Sequence, residues 1–133
     1  MKSFHLKIAT PDRSVFDGQA ESLLIRTREG DAEILAGHTD FLSALGTGRA
    51  RITAEGKSRI ASVSGGFVSV KRGVVSLVAT TFEFADEIDI NRAREAKQNA
   101  ENALANAEKT AEAALKAKLA RAVSRITIWE SHK

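Results

Sequence analysis

The place where the glycines stop constrains this chain more than any other feature. All nine lie between Gly18 and Gly73, the single proline is Pro11, and the last 60 residues contain neither. All six phenylalanines precede position 85, whereas 12 of the 30 residues from Ala93 to Ala122 are alanine. Glycine and proline punctuate turns, and alanine is the best helix former. A turn-rich β half therefore meets a helical half near Phe84–Ile88, which divides the chain into residues 1–86 and 87–133. The expected fold class is α+β: an N-terminal antiparallel β-sandwich followed by a C-terminal antiparallel hairpin of two helices.

Strand signals fill the first half. Phe4, Leu6 and Ile8 alternate with His5 and Lys7, and Thr10-Pro11-Asp12 ends that run. Turn residues at Asp17-Gly18, Arg28-Glu29-Gly30-Asp31, Glu55-Gly56 and Lys71-Arg72-Gly73 separate further short runs, among them Ser22–Thr27, Ser58–Ser64 and Phe67–Val70. Gly46-Thr47-Gly48 reads as a turn, and Ser64-Gly65-Gly66 as a sharp bend between two strands. Val74–Phe84 is apolar at both parities, which predicts a strand covered on both faces.

In the second half, Asp89 or Asn91 can cap a first helix by accepting a hydrogen bond from a free first-turn amide. Ile90, Ala93, Lys97, Ala100, Leu104 and Ala107 recur at spacings of three and four. Thr110 can cap a second helix, with Glu112 in its first turn and a seam of Leu115, Leu119, Ala122, Ile126 and Trp129. Helices of about 17–20 residues result. Alanine buries little area, so this hairpin should be held weakly, both to itself and to the sandwich.

The formal charge of +3, with 20 basic and 17 acidic side chains, is too mild and too mixed for a chain dominated by phosphate contacts to nucleic acid. With no cysteine there is no disulfide or thiolate chemistry, and His5, His38 and His132 are too far apart for a motif-type metal cluster. Nothing reads as a signal peptide or a membrane span, so no direct lipid insertion is expected. Gly46-Thr47-Gly48 lacks the βαβ setting of a dinucleotide loop, and no acid–base pair or nucleophile stands out. Lys116, Lys118, Arg121 and Arg125 cluster on the second helix. The pattern alone fits a solvated face as well as a docking surface for an acidic partner.

Four segments, taken in order, resemble the epsilon subunit of F-type ATP synthases of bacterial type, whose mitochondrial equivalent is called delta. They are Thr10-Pro11-Asp12-Arg13-Ser14-Val15-Phe16; Gly30 to Phe41 with Ile34-Leu35-Ala36-Gly37-His38; Ser64-Gly65-Gly66-Phe67-Val68-Ser69-Val70; and Ala85-Asp86-Glu87-Ile88-Asp89-Ile90-Asn91-Arg92-Ala93. The prolines that usually flank Gly-His in this family are replaced by Ala36 and Asp40.

The resemblance implies a non-catalytic central-stalk subunit, peripheral on the cytoplasmic face of the cell membrane and monomeric when isolated. Its sandwich would contact the gamma subunit and the c ring, with Asp31 and His38 on that side. Its hairpin would lie folded on the sandwich or extend toward the catalytic head and inhibit ATP hydrolysis. Lys116, Lys118, Arg121 and Arg125 would then face the catalytic beta and alpha subunits. No cofactor is required. Some relatives bind ATP in the folded hairpin as a regulatory ligand, and the matching positions are Glu83, Asp89, Arg92, Arg121 and Arg125, with Asn99 where strong binders carry a basic residue. The other functional class considered is a free-standing β-sandwich adaptor whose helices serve as an interaction hairpin.

Overall fold

The expected short runs become the strands β1 (Phe4–Ala9) and β3 (Ser22–Thr27) in the computed structural model, which describes residues 2–132; β2 (Ser14–Ala20) runs through the expected turn at Asp17-Gly18, and β4 (Gly30–Leu35) begins inside the expected turn at Gly30-Asp31. The outermost positions of the two expected segments, 1 and 133, lie outside the described residues. Three longer strands follow: β5 (Phe41–Ala54), β6 (Lys57–Lys71) and β7 (Val74–Phe84). All seven form one sheet in the order β2-β1-β7-β6-β5-β3-β4, antiparallel except where β1 runs parallel to β7. The sheet folds over so that residues from every strand share one apolar core. Two-residue loops join the long strands; in Arg72-Gly73 both residues have positive φ (51° and 79°). That turn twists in the same sense as the strands it joins.

The expected turn at Gly46-Thr47-Gly48 is instead the interior of β5, and the bend at Gly65-Gly66 lies within the single strand β6. One cause explains both. In β6 the buried apolar positions are Ala61 and Val63, then Val68 and Val70; in β7 they are Val75, Leu77 and Ala79, then Phe82 and Phe84. Inward parity flips at the same row in both strands, and Gly46-Thr47-Gly48 of β5 borders that row. A period-two pattern can change sides only where the strand itself bends. At Gly66, φ is +96° and a Cβ would lie 1.8 Å from the Val78 carbonyl oxygen, so only glycine fits this close approach.

Strand β7 is not covered on both faces, because Val78 is 55% exposed and Val74 37%. The doubly covered segment is Ala61–Ser64 of β6, where all four residues are buried. Ala61 and Val63 face the core, and Ser62 meets the helical layer. Sequence reading passed over it because two of its residues are serines.

After a 3-10 turn (Ala85–Glu87) come α1 (Ile90–Ala105) and α2 (Lys109–His132), 16 and 24 residues long rather than nearly equal. Asp89 caps α1, its Oδ1 accepting from the Arg92 amide at 3.1 Å. Helix α2 begins at Lys109, so Thr110 lies inside its first turn and is not the cap. The alanine stripe of α1 does face inward, with Ala93 and Ala100 buried. On α2 the buried pair is Ala122 and Ile128; the expected Ile126 and Trp129 are only half-buried.

The hairpin docks on the sandwich through a second, small cluster: Ala85, Ile88 and Ile128, with Ile60 and Trp129 partly buried beside them. Ser62 and Ser124 share a hydroxyl hydrogen bond at 2.7 Å, and the Arg125 Nε donates to Glu83. Among the described residues the main core has 19 buried members and this cluster has three. One fully buried isoleucine stabilises by about 1.5–3 kcal/mol, so docking rests on a few kcal/mol.

Candidate functional site

Three elements converge where the sandwich passes into the hairpin: the end of β7, the first turns of α1 and the middle of α2. Glu83, Glu87, Asp89, Arg92 and Arg125 line a cavity there of about 420 Å³, with Ala93 and Ala96 as its small-residue wall. Glu87 Oε1 accepts from the Phe84 amide at 3.1 Å, and its Oε2 accepts from the Arg13 guanidinium at 3.1 Å. Asp89 is already used by the helix cap and Glu83 by Arg125. Among the described residues no cluster of three or more His, Cys, Asp or Glu could hold a metal ion.

A second cavity, of about 520 Å³, opens between the helices. Ala96, Ala100 and Ala103 of α1 leave the space, because no side chain beyond a methyl fills it. Lys118, Arg121 and Arg125 of α2 stand across from them, with Asn99 on the α1 side. Ala96 and Arg125 line both cavities, so the two adjoin. One end is rich in carboxylates and the other in cations. Each volume falls within the usual range for a small-molecule site.

Four of the five residues expected around a nucleotide, Glu83, Asp89, Arg92 and Arg125, meet in the first cavity, and Arg121 lines the second. The basic set of α2 is divided. Lys118, Arg121 and Arg125 face the groove, whereas Lys116 turns away to pair with Glu112 at 2.7 Å. That hydrogen bond, reinforced by the lysine's charge, holds the Glu112 carboxyl below its ordinary value. Glu87 was missed by sequence reading, because its part in the cavity depends on the 3-10 turn.

Asp31 and His38 lie beyond this region and are not brought together. Asp31 pairs with Arg26 at 2.9 Å near the start of β4. His38 follows the end of β4, its Nδ1 2.7 Å from the Thr39 carbonyl oxygen and its ring 5.0 Å from that of Phe41. The strand between them covers roughly 13 Å. On the outer sheet face, Phe67 pairs directly with Val78, and Leu42 lies two register rows away on β5. These three are 57%, 55% and 70% exposed, an apolar surface that a soluble monomer does not need.

The profile of the ATP synthase Delta/Epsilon chain beta-sandwich domain matches residues 3–85, and that of the Delta/Epsilon chain long alpha-helix domain matches residues 86–130. The chain belongs to the ATP synthase delta/epsilon family. It is 40% identical over 131 residues to the ATP synthase epsilon chain of Shouchella clausii (strain KSM-K16), covering 96% of each chain. To the epsilon chain of Nitratidesulfovibrio vulgaris (strain DP4) it is 41% identical over 128 residues, again 96% of each. The fold is similar to that of a chain in the Euglena gracilis mitochondrial ATP synthase, OSCP/F1/c-ring in rotational state 1. The TM-score is 0.80 at 23% identity, over 98% of this chain and 81% of that one. As a delta/epsilon family member the chain is a non-catalytic subunit of the ATP synthase, a membrane-associated complex. No helix among the described residues is long and apolar enough to cross a membrane.

Proposed function

We propose that this subunit links the gamma subunit and the c ring to the catalytic head on the cytoplasmic face of the membrane, and that its hairpin undocks to inhibit ATP hydrolysis. The observation that carries the proposal is the unequal division of the apolar core. A large core makes the sandwich a rigid body, while three buried residues hold the hairpin to it. A docking energy of a few kcal/mol allows a partner surface to shift the population between states. In the undocked state Lys118, Arg121 and Arg125 are free to meet acidic surfaces of the catalytic beta and alpha subunits, with Lys116 a peripheral member of the set. Asp31 and His38 face the c-ring side.

The exposed Leu42, Phe67 and Val78 surface is the contact to gamma. Phe67→Glu adds a charge that binding would desolvate, and should weaken association with the gamma and c-ring subassembly by at least about tenfold. The side chain is already exposed, so the melting temperature should stay within a few degrees. Pull-down titration against purified subassembly measures this, and unchanged affinity rules the surface out as the contact.

ATP is the regulatory ligand of the docked hairpin. Glu83 and Asp89 accept from adenosine donors, and Arg92, Arg121 and Arg125 neutralise phosphates. Titration calorimetry of the isolated monomer with ATP should give saturable heat, and Arg92→Ala should weaken binding by about tenfold. No heat at millimolar ATP contradicts this assignment.

A further inference from the structure

We infer that a third groove, between β5 and the second half of α2, is a phosphate-type oxyanion site built on Arg26 and Arg49. It shares no lining residue with either cavity described above. Arg26 of β3 and Thr47, Gly48 and Arg49 of β5 form the sandwich wall, Val123 and Thr127 stand on the helical wall, and the space is about 430 Å³. The glycines of β5 explain why Arg26 lies there. A Cβ at Gly48 would meet the Arg26 Cβ and Cγ at 3.1 Å, and one at Gly46 would meet its Cγ at 3.4 Å. The arginine stem therefore lies flat across β5, in space that a larger residue would fill. Its Nε sits 2.9 Å from Asp31 Oδ1, which fixes the direction of the guanidinium.

One carboxylate engages at most two of the five guanidinium N–H groups, so Arg26 keeps donors for a ligand. Arg49 has no carboxylate partner among the described residues, and the Thr127 hydroxyl across the groove has no hydrogen bond among them. The charged side chains of the groove, Arg26, Arg49 and Asp31, sum to one positive charge. Guanidinium forks match the oxygen spacing of a phosphate group, and a hydroxyl donor from the opposite wall completes a tetrahedral set. An anion held by both walls joins the sandwich to α2, so its binding stabilises the docked hairpin by linkage. The site needs only the docked arrangement of this structure, and neither the nucleotide nor the inhibitory reading.

The test is NMR of the full chain titrated with inorganic phosphate at constant ionic strength, with chloride balancing the salt. The amides of Gly48, Arg49 and Thr127 should shift saturably at millimolar phosphate. Arg49→Gln, at an exposed position, should fold as wild type and bind about tenfold more weakly. Gly48→Ala should weaken binding severalfold while keeping both arginines, because the added methyl displaces the Arg26 stem. Arg28→Gln, an exposed arginine outside the groove, should leave the affinity unchanged. Glycerol phosphate in place of the inorganic ion separates two sources of the same group. Binding at least as tight, with the same dependence on Arg49, assigns the groove to a phosphomonoester, and clearly weaker binding assigns it to the free ion. Shifts confined to the Lys118 and Arg121 region, an equal response to acetate, or unchanged affinity in both Arg49→Gln and Gly48→Ala overturns the inference.

Discussion

Gly66→Ala should cost more than about 3 kcal/mol of unfolding free energy, more than most single substitutions in this size of domain. Two costs combine. A left-handed backbone at φ +96° strains any residue with a Cβ. In addition, the new Cβ would sit 1.8 Å from the Val78 carbonyl oxygen, with the Ala79 Cα at 2.9 Å, and both are backbone atoms that cannot rotate away. Relief requires β6 and β7 to part at the row where both reverse their inward faces, which breaks ladder bonds and loosens Val68, Leu77 and Ala79 together. Gly56→Ala is the control, because its φ is +75° yet no atom lies within 4 Å of the added Cβ. It should lose only about 1 kcal/mol. Urea midpoints of the isolated chains compare the two, and equal losses would mean that close approach at the corner does not matter.

That corner also marks how far the sequence could be read. Strands β1 and β3 were legible because alternation and turn residues agree there, and Asp89 was legible as a cap because a short acceptor precedes a run of helix formers. The long strands were harder. Gly46-Thr47-Gly48 and Gly65-Gly66 carry the residues of turns but serve as bends inside continuous strands, and only pairing across the sheet distinguishes the two uses. Val78 was read as buried because its β propensity is the same whether it faces the core or a partner. In the hairpin, the three- and four-residue spacing gave the inward face of α1. It could not show that α2 turns Ile128 rather than Ile126 onto the sandwich, since that depends on how the whole pair leans against β6. Motif matching found four of the cavity residues, whereas Glu87 depends on a 3-10 turn that no local pattern announces.

Locking the hairpin in its docked position should produce the largest functional effect. Besides the small apolar cluster, the Ser62–Ser124 hydroxyl pair and the Arg125–Glu83 ion pair join α2 to the sandwich. Both partners of that ion pair are partly exposed, so it contributes modestly. The total is small enough for a competing surface on the catalytic head to capture the helices, and a covalent link removes that option outright. Ser62 and Ser124 suit such a link, because their oxygens lie 2.7 Å apart. The natural chain has no cysteine, so an introduced pair has no competing thiol.

The decisive measurement is the ATP hydrolysis rate of complex reconstituted with the Ser62→Cys/Ser124→Cys chain, before and after reduction. A chain ending at Ile88 serves as the fully released reference. The oxidised complex should hydrolyse at the rate of the truncated reference, and reduction should slow it severalfold toward wild type, in line with a shift of about 1–2 kcal/mol between states. If the oxidised complex were as slow as wild type and reduction changed nothing, the hairpin would not leave the sandwich to inhibit, and the account would be contradicted.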